Sequence, residues 1–330
     1  MNITILMSVW CQNVWDELIL KNEILLLRKK YWENTTFSVF TYDVNDIFFQ
    51  QNYIKYFEYF PIWIRNPRNI FRNIKNFLNF IKVIFDSDKV VIGWWWIFFD
   101  NEKWNYSNPL KQWLFRSFIA NILKKEIIIY WVSIDVKSEK SKSIVKNIFS
   151  KASEIFVRDE SSKKFLNEIW IKSEIILDPV FSDNWQKWIE NFNKNFLLKK
   201  INAKDFSFND LSDIDLDWKT VWIAFRCHYL NDEKNTISKT IDYILSKWWK
   251  VLLLPHSFHK IDKVANDYEF LKEFVKDWVE ISKNMQETYN AYFEKKIDFC
   301  LSMRLHSMIL SQVYAIPFFA IKYAKKSDLM

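Results

Sequence analysis

The sequence predicts an α/β protein built from two doubly wound domains. Three observations carry this. Short apolar runs alternate with helix-period stretches along nearly the whole chain. Several of the short runs, such as "KVVIG", are apolar throughout, as strands buried on both faces of a parallel sheet are. The rhythm breaks only once, in the polar stretch 182–217.

In order, "NITILMSV" reads as a first strand and 14–31 as a helix with apolar residues at Leu18, Ile19, Ile24, Leu25, Leu26 and Leu27. "TTFSVFTY" is the next strand. Helix 66–85 places Ile70, Phe71, Ile74, Phe77, Leu78 and Ile81 at helical spacing, and "KVVIG" follows. Helices at 109–125, 140–151 and 161–169 alternate with strands at 127–133, 154–159 and 173–181. Residues 1–181 thus form an N-terminal α/β domain, and 182–217 a linker or covering insertion. The C-terminal domain, 218–330, repeats the alternation. Its strands are 220–226, 250–256, "VEIS", "DFCLSM" and "FFAIKY", and its helices 232–247, 260–275, 284–296 and 305–315.

Bulk properties narrow the function classes. Forty-seven basic residues stand against 40 acidic, a net charge of +7 that suits anionic small substrates. No basic block is interleaved with stacking aromatics, which argues against nucleic acid. The N-terminus carries no basic leader, and no run of about 18 apolar residues exists, so a cytoplasmic protein is expected. Cys11, Cys227 and Cys300 are scattered and suggest neither a zinc site nor a disulfide framework.

One anomaly bears on every motif. The chain has 1 Gly and 18 Trp, where about 23 glycines are expected for its length. Trp32, Trp170, Trp248 and Trp249 stand at helix-to-strand junctions, where a helix C-terminus favours glycine. The abundance of Lys, Asn, Ile and Phe fits an AT-rich genome. UGA means tryptophan in some bacterial codes and glycine in others. Most of these tryptophans are therefore expected to stand at glycine codons.

The motifs follow from that reading. "WCQNVWDE" becomes a glycine-containing turn opening a helix, with Asn13, Asp16 and Glu17 as polar groups; Asp16 and Glu17 also suit a helix first turn. "VVIGWWWIFFD" becomes a strand ending in four glycines, at Gly93, Trp94, Trp95 and Trp96, whose N–H groups can meet an anion or a sugar oxygen; a tight turn is the plain alternative. No Gly-Lys-Ser/Thr follows, so it is not a phosphate loop of the NTPase kind. "VRDESS" offers Arg158, with Asp159 as an ion-pair partner and Ser161 or Ser162 as helix caps. Arg226 ends the first strand of the second domain, where a planar guanidinium suits phosphate or carboxylate. His256 and His259 are read as half-exposed loop histidines. In "DFCLSMRLHSMILSQVYAIP" a strand ends and Arg304, Leu305 and His306 open a helix. That arrangement suits anion binding and proton transfer, against a surface arginine and a core histidine as the plain alternative.

Together "CQNVWDE", "VVIGWWWIFFD", "VRDESS", "DPVF", "IAFR" and "RLHSMILSQVYAIPFFAIKYAKK" resemble the polysaccharide pyruvyl transferase family, in order and across nearly the whole chain. Tryptophan sits where that family has glycine. The chain also stops soon after Lys325 and Lys326, where family members commonly continue.

The resemblance implies two Rossmann-like domains similar to GT-B glycosyltransferases, the N-terminal one on the acceptor side and the C-terminal one on the donor side. It implies phosphoenolpyruvate as donor and a hexose diol of a cell-surface polysaccharide, or of its lipid-linked precursor, as acceptor. Peripheral membrane association goes with such an acceptor. Arg226 and Arg304 are then the anion clamp and His306 the donor-binding residue and candidate acid. Asp16 and Glu17 face acceptor hydroxyls. Asn13, Gly93, Trp94, Trp95, Trp96, Arg158, Leu305 and Lys325 complete the expected site. No metal or redox cofactor is called for. The rival readings are a nucleotide-sugar glycosyltransferase and a glycan-binding homologue without turnover.

Overall fold

The structure is a computed structural model of the full chain. It describes all residues except 8–12, 42–43, 45–48, 61–68, 101–108, 177, 180–193, 195, 213–219, 227–228, 231, 259–265, 295 and 324–330, together with the side chains of 94–96 and 109. The chain divides into two compact units. One spans Met1–Cys11 and Ile19–Pro179, the other Gln12–Leu18 and Val180–Met330.

In the first unit, strands β1 (Asn2–Met7), β2 (Thr36–Thr41), β3 (Ile54–Glu58), β4 (Lys89–Phe99), β5 (Glu126–Asp135), β6 (Glu154–Val157) and β7 (Glu174–Ile175) alternate with helices. These are α1 (Val14–Tyr31, of which residues 14–18 belong to the second unit), α2 (Ile70–Phe85), α3 (Pro109–Ile122), α4 (Glu139–Phe149) and α5 (Glu160–Glu168). The strands form one sheet in the order β3-β2-β1-β4-β5-β6-β7, every pairing parallel. The strand order reverses between β1 and β4. Phe40, Ile92, Ile129, Phe98 and Phe149 belong to its buried core.

The second unit has β8 (Leu197–Asn202), β9 (Thr220–Ala224), β10 (Lys250–Leu253), β11 (Val279–Ile281), β12 (Phe299–Ser302) and β13 (Phe318–Lys322). Its helices are α6 (Glu233–Ser246), α7 (Asp267–Leu271), α8 (Met285–Phe293) and α9 (Leu305–Val313). The order is β11-β10-β9-β12-β13-β8, again all parallel, and it reverses between β9 and β12. Two doubly wound α/β units are what the alternation predicts.

Two strands went unread in the sequence. β3 lies within a stretch with no assigned element, and β8 lies inside the expected linker. β8 is an edge strand whose residues alternate half-buried and exposed. It docks through Phe318 N–H to the Phe196 carbonyl and Ala203 N–H to the Lys322 carbonyl. Its lysines hide the apolar signal.

The tryptophans take a distinctive backbone. Eight described non-glycine residues have positive φ, and five of them are Trp32, Trp131, Trp170, Trp248 and Trp278. Trp170, at φ 64°, follows α5, with its N–H on the Asn167 carbonyl and Ile171 N–H on that of Leu166. That is the Schellman arrangement, whose left-handed position glycine fills without steric cost. Its side chain is 92% exposed, and that of Trp248, after α6, is 94% exposed. Trp131, at φ 51°, sits in β5 at the register shift between Ile129 and Val132, a bulge position of glycine type. Trp249 is not among the positive-φ residues.

Candidate active site

In open parallel sheets, ligands gather beyond the carboxyl ends of strands where the strand order reverses. In the second unit that point lies between β9 and β12. The chain leaves β9 through Phe225 to Arg226 and leaves β12 through Met303 to Arg304. The two arginines are thus delivered by adjacent central strands, and both act electrostatically on the Asp267 carboxylate.

Arg304 is fixed. Its Nε donates to Asp267 Oδ2 at 2.9 Å, and its Nη2 donates to Asp267 Oδ1. Asp267 is wholly buried at the start of α7 and also accepts from His256 N–H at 3.2 Å. Burial raises the Asp267 carboxyl above the ordinary aspartate value, against the pull of Arg304. The pair uses Nε and Nη2 of the guanidinium and not Nη1. A guanidinium held on both oxygens of Asp267 therefore stands where the sequence suggested an anion-binding arginine. Arg226 is half-buried. Its Nη1 donates to Tyr323 Oη at 3.4 Å, and its guanidinium stands 5.5 Å from the Tyr229 ring centre and 5.8 Å from that of Tyr323.

Arg304 is the N-cap of α9 and caps it with no side-chain hydrogen bond, and the first turn has no acidic residue. Leu305 and His306, both half-buried, open that helix. The His306 ring stacks on Trp15, with centroids 4.3 Å apart and planes 9° from parallel. The Trp15 indole is 1% exposed, and its Nε1 is buried without a hydrogen-bond partner among the described residues, as is Nε1 of Trp222. Buried indoles normally bond that N–H. Asn13 serves the start of α1, its Oδ1 accepting from Trp15 N–H at 3.0 Å; its backbone bridges Ser257. Asp16 and Glu17 are both buried in the first turn of α1.

Behind these residues lies a buried polar network with no signature in the sequence. His256 was expected half-exposed and is instead 3% exposed, because its ring is bonded at both nitrogens. Nδ1 is 3.0 Å from the Leu254 carbonyl, so it carries the proton, and Nε2 accepts from Tyr292 Oη at 3.1 Å. Burial, with the Arg304 charge, pushes His256 down to about 3, so the ring is neutral. Tyr292 Oη also meets Ser307 Oγ at 2.7 Å, and Ser307 meets Ser302 at 2.8 Å. One chain of hydroxyls therefore joins the residue after His306 to the histidine whose backbone holds Asp267.

The first unit has its own reversal point, at β1 and β4. Gly93 pairs with Met7, the last residue of β1. A Cβ at 93 would stand 2.8 Å from the Tyr130 carbonyl oxygen, which glycine alone avoids, and 3.7 Å from Glu23 Oε1. Glu23, on α1, is completely buried, and neither carboxyl oxygen has a partner among the described residues. Burial pushes it up to about 8, so it is protonated at neutral pH. Burial and the charges of Glu23 and Asp178 push the Tyr130 phenol up as well. Nothing in the sequence of α1 distinguishes this mid-helix carboxylate from a solvated one.

Arg158 follows β6, 3.7 Å from Asp159 and 5.4 Å from the Trp131 ring centre. Asp159 itself, rather than Ser161 or Ser162, caps α5, accepting from Ser162 N–H at 2.8 Å. Burial opposes its ionisation, but bonds from Ser133, Ser161 and Ser162 bring it below the ordinary value. Ser162 instead accepts from Ile134 N–H at 2.9 Å. The side chains of Trp94, Trp95 and Trp96, and Lys325 and His259 entirely, lie outside the described residues.

The polysaccharide pyruvyl transferase family model matches residues 16–325. The chain belongs to this family. No curated protein matches it. Among solved structures, a putative UDP-N-acetylglucosamine 2-epimerase from Listeria monocytogenes is similar at 10% identity and a TM-score of 0.54, over 99% of this chain and 80% of that one. The UDP-GlcNAc 2-epimerase from Neisseria meningitidis gives 12% identity and a TM-score of 0.47, over 92% and 78%. At such identity the Listeria likeness shows the fold alone, a GT-B-like pair of α/β units. For this pyruvyl transferase family member, the matched span includes Asp16, Arg226, Arg304 and His306.

Proposed function

We propose that the protein transfers a pyruvyl group from phosphoenolpyruvate to two hydroxyls of a hexose, forming a ketal on a cell-surface polysaccharide or its lipid-linked precursor. The observation that supports this most is the delivery of Arg226 and Arg304 from adjacent strands β9 and β12, next to His306 at the start of α9. The donor carries a phosphate and a carboxylate. A guanidinium and a helix N-terminus are suited to such anions.

The reaction then runs as follows. A proton is added to the methylene carbon of the enol, and His306 is our candidate donor. Positive charge develops at C2, where one acceptor hydroxyl bonds as its proton leaves. The C2–O bond to phosphate breaks, inorganic phosphate departs, and the second hydroxyl closes the ketal as its proton leaves. Asp16 and Glu17 orient or deprotonate these hydroxyls. Leu305, Asn13, Arg158 and Lys325 remain candidate binding residues, and Glu23 joins them as a neutral carboxyl beside Gly93 that can both donate to and accept from a sugar hydroxyl. The chemistry calls for no metal or redox cofactor, and its donor is a cytoplasmic metabolite.

In this reading the working enzyme carries glycine at position 15 and at the positive-φ tryptophans. The space that the Trp15 indole fills against His306 is then room for the donor. Thermal denaturation tests the donor directly. Phosphoenolpyruvate should raise the melting temperature of the glycine-decoded protein, and Arg226→Ala should abolish the rise. Protection by UDP or GDP sugars instead would favour the glycosyltransferase reading.

A further inference from the structure

The first unit exposes an unusual helix face. On α2, Phe71 is 84% exposed, Leu78 61% and Phe85 65%. At helical spacing, Ile70, Ile74, Leu78, Phe85 and Phe71 fall within an arc of about 100°. The opposite side of α2 faces the core through Phe80, Val83 and Ile84, so the exposed arc is not needed for packing. On α3, Phe118 is 47% exposed and Ile122 55%. The two helices' apolar surfaces join, since the rings of Phe77 and Phe115 are 6.4 Å apart and both lie near Phe60. Scattered exposed apolar residues are ordinary, but two adjoining helices bearing eight between them mark an interaction surface.

The charges say what kind. Neither α2 nor α3 contains a single Asp or Glu. Lys75 and Lys82 stand exposed beside the apolar arc of α2, and Lys111 is exposed on α3. Just past α3, Lys125 reaches back to the Phe85 carbonyl at 2.7 Å and lies 5.5 Å from its ring centre. A cationic rim around apolar side chains repels a second copy of itself. It complements an anionic lipid surface, where lysine heads reach phosphates while their stems and the phenylalanines enter the acyl boundary.

We infer that the α2–α3 face docks the protein on anionic membranes. The inference goes beyond pyruvyl transfer and does not depend on it; it would equally serve any enzyme whose acceptor is lipid-linked. No helix among the described residues is long and apolar enough to cross a membrane, so contact of this kind is peripheral.

The test is sedimentation of the full chain with vesicles of phosphatidylcholine alone and of phosphatidylcholine mixed with phosphatidylglycerol. Binding should be strong only with phosphatidylglycerol and should weaken as salt rises. The double substitution K75E/K82E should cut that binding more than about tenfold, each lysine near such a surface being worth about fivefold. F71S/L78S should abolish it while leaving the melting temperature unchanged, because both side chains are exposed. Wild-type protein that stays in the supernatant at low salt would overturn the inference, as would F71S/L78S binding at wild-type strength. So would a wild-type dimer that F71S/L78S dissociates without any vesicle binding, which would assign the face to a second copy. Loss of phosphoenolpyruvate turnover, with vesicle binding intact, would strike only the proposed function.

Discussion

Replacing Glu23 with glutamine should change how stability depends on pH, and the size of the effect follows from the structure. Burial raises this carboxyl from an ordinary 4.5 to about 8, and neither oxygen has a partner among the described residues. Between those values the unfolded chain has released the proton and the folded chain keeps it. The folded state binds the extra proton, so this group's contribution to stability is greatest below pH 4.5 and declines as pH rises towards 8. The decline is about 1.4 kcal/mol per pH unit, or about 5 kcal/mol in all. Glu23→Gln keeps the shape and removes the titration. Urea unfolding at pH 5, 6, 7 and 8 should show the wild type losing stability relative to Glu23→Gln by an amount that grows with pH. Tyr130 and Asp178 stay in place in both proteins and cancel. Parallel curves would refute the argument, by showing that the carboxyl is solvated or bonded in the folded protein.

Three further substitutions test other positions in the molecule. Trp170→Gly and Trp248→Gly, at φ 64° and 62° with nearly full exposure, should each stabilise the chain by about 1 kcal/mol, since the left-handed strain relieved exceeds glycine's added entropy cost; a fall in melting temperature would count against glycine positions there. Asp267→Asn leaves the Arg304 guanidinium, 12% exposed, without its counter-charge. It should destabilise by about 3 to 5 kcal/mol in chemical denaturation, and a change under about 1 kcal/mol would mean that solvent already screens the pair.

Much of the fold was legible because strands buried on both faces must be apolar throughout. "KVVIG" could be read that way, and it became the core of β4. β3 and β8 were missed for the opposite reason. They lie at sheet edges, where "IKYFE" and "LLKKIN" carry charge on their solvent side. In the candidate site, the placements of Arg226, Arg304 and His306 were legible because each follows a strand or opens a helix. Asp267 was not, since it lies 37 residues from Arg304 on a five-residue helix with no pattern of its own. Glu23 was hidden by the unusual burial of α1, which leaves a mid-helix carboxylate wholly enclosed. The tryptophan junctions were legible because backbone conformation, not side-chain packing, determines which residue a Schellman turn accepts.

The most direct measurement is the fate of phosphoenolpyruvate in the presence of the glycine-decoded protein and a panel of hexose-containing glycans. Phosphate release and glycan mass should be followed together. One phosphate should be released for each pyruvyl ketal formed, with both lost in Arg226→Ala and His306→Ala variants that still fold. A glycan that gains a hexose from a nucleotide sugar, or glycan binding with no phosphate released under any condition, would contradict it.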